Sequence, residues 1–217
     1  MDTTEIIKKT EQFVKQRLSA ESTGHDWWHV VRVINIAKHI HEVEGGDWLI
    51  IHLGLLLHDV GDRKVINEDN DDYTIAENFL RDIHVDQSLI DRIMNIIKTM
   101  SYSKSFDDTE KDNSIEFYIV QDADRLDAMG AIGIARTFAF GGSRGRLLYD
   151  PDYIAKAFAS SEEYKKSTSS TLHHFDEKLF HLKDSLHTET ARAIAVERDT
   201  FMHQFVDRFI DEWNGKY

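Results

Sequence analysis

The chain reads as an all-α protein. Apolar residues recur at three- and four-residue spacing along most of its 217 residues. A single proline, Pro151, and only eleven glycines leave long stretches without a helix breaker. No segment shows the strict apolar–polar alternation of a half-buried strand.

Residues 4–20 carry Ile6, Ile7, Thr10, Phe13, Val14 and Leu18 on one helical stripe. Asp26 is placed to cap a second helix with Val30, Val33, Ile34, Ala37 and Ile40 on its inner side, and Gly45-Gly46 ends it. Asp47 then caps a third helix, apolar nearly all round and so expected at the centre, with Gly61 as its stop. The acidic run from Glu68 to Asp72 reads as a solvated loop. Two helices are expected next, around Tyr73–Ile83 and Leu89–Met100, followed by a loop over 101–112. Ser114 precedes a helix bearing Phe117, Tyr118, Val120 and Asp122. The clearest break is Gly141-Gly142-Ser143-Arg144-Gly145-Arg146, expected as a mobile loop. Shorter helical stretches and a Ser/Thr-rich turn at 167–171 lead to a last helix from Thr188 to Trp213. Its core stripe is Ile194, Phe201, Phe205, Phe209 and Ile210.

Bulk composition narrows the function. A formal charge of −13 opposes broad contact with a nucleic acid polymer, which needs cationic surface. It leaves a small anionic substrate open, because a metal and a few local cations set the field inside a pocket. The absence of cysteine excludes disulfides and thiolate zinc sites. No apolar signal core and no run long enough to span a bilayer are present, so a cytoplasmic protein without membrane contact is expected. One domain is expected over 1–217, with a metal site inside 20–130 and the C-terminal helices, 131–217, packing on it.

His29, the doublet His58-Asp59 and Asp122 are the residues with the most chemistry to offer. Two imidazoles and two carboxylates suit a divalent first-row metal, and such an ion activates water and screens phosphate charge. Taken singly, each suits an ordinary hydrogen-bonded core residue as well. The local contexts decide between these readings. Gly24-His25-Asp26-Trp27-Trp28-His29 with Val30-Val31-Arg32-Val33, His58-Asp59 after Leu53–Leu57, and Gln121-Asp122-Ala123-Asp124-Arg125-Leu126-Asp127-Ala128 resemble the signature segments of the HD superfamily of metal-dependent phosphohydrolases. Further stretches are similar to the small bacterial HD nucleotide pyrophosphohydrolases: Gly130–Thr137, His173-His174-Phe175 with Lys178-Leu179, and the tail from Thr188 to Trp213.

The resemblance implies a helical HD-domain bundle with His29, His58, Asp59 and Asp122 holding one divalent ion. Mn²⁺ is expected, with Co²⁺, Ni²⁺, Fe²⁺ or Zn²⁺ as substitutes and Mg²⁺ disfavoured by the two nitrogens. His84 is the only histidine between Val60 and Gln121, which argues against a second metal. Asp62 is then a candidate acid or base, and Asp127 a second acid or an outer partner for Arg125. Arg32, Lys64, His174 and Lys178 are candidate substrate contacts. The implied reaction cleaves a nucleoside triphosphate to a monophosphate and pyrophosphate. The alternatives are a nucleotide or small-metabolite phosphomonoesterase and a non-catalytic nucleotide-binding module. Asp62-Arg63 departs from the Glu-Asp pair of guanosine-tetraphosphate hydrolases, and a homodimer is what the subgroup suggests. His25 and Asp26 are candidates to orient His29, with a plain helix cap the competing reading for Asp26.

Overall fold

The computed structural model describes residues 2–18, 24–62, 72–102 and 112–216, and among them only helices and connecting turns occur. The helices are α1 (Thr3–Leu18), α2 (Trp27–Glu44), α3 (Trp48–Leu57), α4 (Thr74–Asp82), α5 (Gln87–Thr99), α6 (Ile115–Asp127), α7 (Gly130–Ser143), α8 (Ser161–Lys166), α9 (His174–Glu177) and α10 (Glu189–Trp213). Two short 3₁₀ turns, Leu179–His181 and Lys183–Ser185, lead into α10.

Helix starts follow local side-chain chemistry. Asp26, Asp47, Asp86, Ser114 and Thr188 each accept a backbone N–H of the first turn of α2, α3, α5, α6 and α10. Every side chain of α3 from Ile50 to Leu57 is buried except the half-buried His52, so this helix lies at the centre and packs on α1, α2, α5 and α6. Each Leu or Ile there contributes about 1.5–3 kcal/mol by leaving water. α2 pairs most extensively with α6, and that pairing sets the site.

α10 lies across α7, α6 and α2. Two carboxylates hold its first turn. Glu44 accepts Thr190 N and Oγ1 at 3.0 and 2.8 Å, and Asp122 accepts Thr188 N and Oγ1, both at 2.8 Å. A helix N-terminus presents unpaired N–H groups and partial positive charge, which is why anionic side chains settle there. No helix is long and apolar enough to cross a membrane among the described residues.

Several sequence expectations change. Gly141, Gly142 and Ser143 are helical, and the break comes later, at Gly145 with φ +66°. Gly145 N donates to Gly142 O and Arg146 N to Gly141 O, which closes α7 in a Schellman motif and makes the expected mobile loop a defined turn. Gly61 does not adopt a left-handed conformation. Its missing side chain instead admits the carbonyl of Asp72, which a Cβ would meet at 2.2 Å. Phe201 is 48% exposed, and the inward side of α10 is carried by Ala191, Ala195 and Met202. The acidic run before Asp72 lies outside the described residues.

Candidate metal centre

His29, one turn into α2, is fully buried and uses both ring nitrogens. Its Nδ1 is 2.7 Å from Asp127 Oδ2 on α6. Its Nε2 faces His58 Nε2 at 3.1 Å and Asp59 Oδ2 and Asp124 Oδ1 at 3.4 Å each. His58 and Asp59 leave α3 in the turn 58–61, where the helix has ended and adjacent side chains can converge. His58 Nδ1 donates to Leu55 O at 2.8 Å, and its Nε2 lies 3.3 Å from Asp59 Oδ2 and 3.9 Å from Asp124 Oδ1. His25 Nδ1 bonds Asp59 Oδ2 at 2.8 Å.

These bonds assign the tautomers. With Nδ1–H donated to a carboxylate in His29 and to a carbonyl in His58, each ring keeps its Nε2 lone pair for the shared point. Two imidazole Nε2 atoms and the carboxylate oxygens of Asp59 and Asp124 then face one another. The ligand atoms of His29, His58 and Asp124 lie within 4.8 Å of one another, as do those of His25, His29 and Asp59, and such mixed nitrogen and oxygen groups suit a divalent transition metal.

A proton can also sit among these groups. Burial alone would depress the His58 pKa, but Asp59 and Asp124 reverse this and raise it to about 9. Burial raises the Asp59 and Asp124 pKa values, yet the facing imidazoles hold both well below the usual carboxylate range. Asp124 is the most open member, with 33% of its side chain exposed, and marks the solvent side of the cluster.

The sequence-predicted residues fall into distinct places. His29, His58 and Asp59 come together. Asp122 does not join them. It is fully buried, and its carboxylate accepts His187 N, Thr188 N and Thr188 Oγ1 at the start of α10. Residues two apart on a helix point about 200° apart, so a helix that turns Asp124 toward the histidines turns Asp122 away. The missed signal was the i, i+3 spacing of Asp124 and Asp127, which lets one face of α6 address both nitrogens of a single imidazole.

Asp127 is thus a hydrogen-bond partner of His29, and the guanidiniums beside it are those of Arg32 and Arg136. Arg32 Nε and Nη2 donate to its two oxygens at 2.8 and 3.0 Å, and Arg136 Nη1 donates to Oδ2 at 2.9 Å. Burial raises its pKa, but His29 and Arg32 outweigh that and bring it to about 2. Arg32, a candidate substrate contact from the sequence, pairs with this carboxylate. Asp26 accepts His29 N as a helix cap at 2.8 Å, while His25 orients Asp59. Asp62 is half-buried and follows directly, its backbone N–H donating to Asp59 O at 3.2 Å. Lys64 lies outside the described residues. Lys178 Nζ stands over the rings of Tyr102 and Tyr164 at 4.6 and 4.9 Å, and the His174 ring lies near that of Tyr164.

The comparisons bear on the same segments. The HD domain family model matches residues 27–129, a span that contains His29, His58, Asp59 and Asp124. The uncharacterized protein YpgQ of Bacillus subtilis is 40% identical over 205 residues, covering 92% of this chain and 91% of its own. This chain belongs to the HD-domain family. A crystal structure of an HD-superfamily hydrolase from Bacillus thuringiensis superposes with a TM-score of 0.75 at 40% identity, over 99% of this chain and 100% of that one. A crystal structure of a Lactobacillus plantarum protein superposes with a TM-score of 0.87 at 34% identity, over the full length of both chains. YpgQ itself, crystallised in complex with ADP, superposes with a TM-score of 0.75 at 34% identity, over 98% of this chain and 96% of that one. The helical architecture here is thus that of HD-superfamily hydrolases.

Proposed function

We propose that this HD-domain protein is a metal-dependent phosphohydrolase that cleaves a nucleoside triphosphate to a nucleoside monophosphate and pyrophosphate. The convergence of His29 Nε2, His58 Nε2, Asp59 Oδ2 and Asp124 Oδ1 carries the reading. The ADP complex of YpgQ supports a nucleotide substrate. A divalent ion held by these four groups would supply a nucleophile at neutral pH and neutralise phosphate charge. Mn²⁺ is the expected ion, because two imidazoles favour a transition metal over Mg²⁺.

The chain's own residues prepare the site. Asp127 and Leu55 O hold the two imidazoles in the ligand tautomer, and Arg32 and Arg136 keep Asp127 ionised and in place. His25 orients Asp59. Asp62, next to the doublet and half-buried, is assigned the proton-transfer role.

The test is a panel of nucleoside triphosphates with Mn²⁺, Co²⁺, Ni²⁺ and Mg²⁺, with products resolved by chromatography. Monophosphate plus pyrophosphate is expected, fastest with Mn²⁺. Orthophosphate as the only inorganic product would replace this reading with a phosphomonoesterase. Saturable binding without turnover in any metal would replace it with a nucleotide-binding module.

A further inference from the structure

Three arginines from three helices gather at the edge of the His29 ring that faces away from the candidate ligands. Arg32 on α2 and Arg136 on α7 meet at Asp127, the last residue of α6. Arg32 Nε and Nη2 and Arg136 Nη1 donate to its two oxygens at 2.8 to 3.0 Å. Arg198 on α10 donates from Nη1 to the carbonyl of Leu126, the preceding residue. Two glycines with positive φ make room for this group. A Cβ on Gly24 would come within 3.2 Å of Arg136 Nε, and one on Gly130 within 3.0 Å of Arg198 Cγ.

The cations outnumber the charge that holds them. Arg32 alone pairs both Asp127 oxygens, so Arg136 and Arg198 exceed what that carboxylate needs. The Asp127 charge acts on Arg32 and Arg198, and that of Asp26 on Arg32 as well, which leaves three cations facing two carboxylates. Arg32 Nη1, Arg136 Nε and Nη2, and Arg198 Nε and Nη2 make no hydrogen bond among the described residues. The Arg32 side chain is 31% exposed and that of Arg136 16%, so the group opens to solvent.

We propose that Arg32, Arg136 and Arg198 form a second binding site, for a phosphate-type oxyanion, apart from the metal centre. His29 separates the two, with Nδ1 toward Asp127 and Nε2 toward His58, Asp59 and Asp124. The site goes beyond the hydrolase reading and does not depend on it. A guanidinium presents paired N–H donors in a planar fork that matches phosphate oxygens. Forks arriving from three helices suit a tetrahedral anion, whose oxygens point in several directions, better than a flat carboxylate. In a chain of formal charge −13, a local excess of positive charge is where such an anion is drawn. The occupant is free phosphate or the terminal phosphate of a small metabolite.

The test uses protein free of metal and of chelator, with nitrogen-labelled arginine. Inorganic phosphate, AMP and sodium chloride at matched ionic strength are titrated in, and the arginine Nε–H signals are followed by NMR. Saturable shifts of the Arg136 and Arg198 signals are expected with phosphate and not with chloride. Phosphate affinity should fall about 10- to 100-fold in Arg136→Gln and in Arg198→Gln. Arg198 bonds the Leu126 carbonyl, so its variant keeps the clamp on Asp127 if Arg136→Gln fails to fold. Arg198→Lys retains the charge without the fork and should bind between wild type and Arg198→Gln. Asp124→Ala alters only the metal centre and should bind phosphate within about twofold of wild type. AMP bound through the same arginines as tightly as phosphate identifies a metabolite phosphate as occupant, and AMP excluded identifies free phosphate. No saturable shift, or a shift that chloride reproduces, would overturn the proposal. Affinity lost in Asp124→Ala and kept in folded Arg198→Gln would overturn it too, by placing the anion at the metal centre. Because no metal is present, failure here leaves the hydrolase reading untouched.

Discussion

Replacing Asp124 removes a carboxylate that faces both imidazole Nε2 atoms, whereas replacing Asp122 removes the acceptor of three donors at the start of α10. Asp124→Ala is expected to lose bound Mn²⁺ on gel filtration and keep its urea midpoint. Asp122→Ala should retain the metal but lose roughly 2–4 kcal/mol of stability, because a buried charged acceptor leaves its donors unpaired. The opposite pattern would return Asp122 to the ligand set. Asp127→Asn keeps the volume of the His29 partner and removes its charge. Mn²⁺ affinity, read by competition with an indicator, should fall about 10- to 100-fold. An unchanged dissociation constant would leave Asp127 a packing residue only. His174 supplies a pH signature of the fold. Burial lowers its folded pKa to about 4, so between about pH 6.5 and 4 the unfolded chain binds a proton that the folded one refuses. Stability contributed by this group is therefore complete above pH 6.5 and falls as pH drops. Urea unfolding should show roughly 2 kcal/mol lost between pH 7 and pH 5, a slope absent in His174→Asn.

Helix ends reveal where local chemistry and geometry disagree. α4 closes through His84, which adopts φ +59°, the one non-glycine residue with positive φ among those described. His84 N donates to Arg81 O and Val85 N to Leu80 O, the same closure that Gly145 gives α7. A side chain in this conformation costs about 1–2 kcal/mol, part of which glycine gives back as unfolded-state freedom. His84→Gly is therefore expected to stabilise the protein by about 0.5–1 kcal/mol, seen as a Tm rise of roughly 2–4 °C. A lower Tm would mean that the histidine ring makes a compensating contact. The caps at Asp26, Asp47, Ser114 and Thr188 were legible because a short polar side chain before an apolar periodic run has few other reasons to be there. The end of α7 was misplaced because two glycines in a row look like a break. Gly141 instead packs against Thr171, where a Cβ would come within 2.1 Å of Oγ1.

The candidate centre joins α2, the turn after α3 and α6, and α10 is fastened to α2 and α6 through Glu44 and Asp122. A cation bound only by the folded chain stabilises all of these elements together. At a Mn²⁺ concentration about a hundredfold above its dissociation constant the gain is about 2.7 kcal/mol, so Tm should rise by roughly 5–10 °C and return on chelation. A melting curve indifferent to Mn²⁺, Co²⁺ and Ni²⁺ would contradict the metal assignment. Folding these elements around a central α3 also explains why the site resists acidic repulsion. Asp59, Asp124 and Asp127 each face an imidazole or guanidinium group of α2.

Amino-acid order alone carried the helical class, most helix starts and the burial of α3, since each depends on residues a few positions apart, while likeness to a family named His29, His58 and Asp59, which the fold brings together. That likeness named Asp122 as the fourth group, whereas Asp124 is the carboxylate that faces the histidines. Asp122 and Asp124 have nearly the same neighbours in the chain, and only the rotation of α6 against α2 assigns one to the histidines and the other to the N-terminus of α10. The partners of Asp127, separated from it by 95 and 98 positions in Arg32 and His29, were hidden for the same reason. Periodicity tells which face of a helix is buried, but not which buried polar group meets which, because that depends on how two helices are turned about their own axes when they pack.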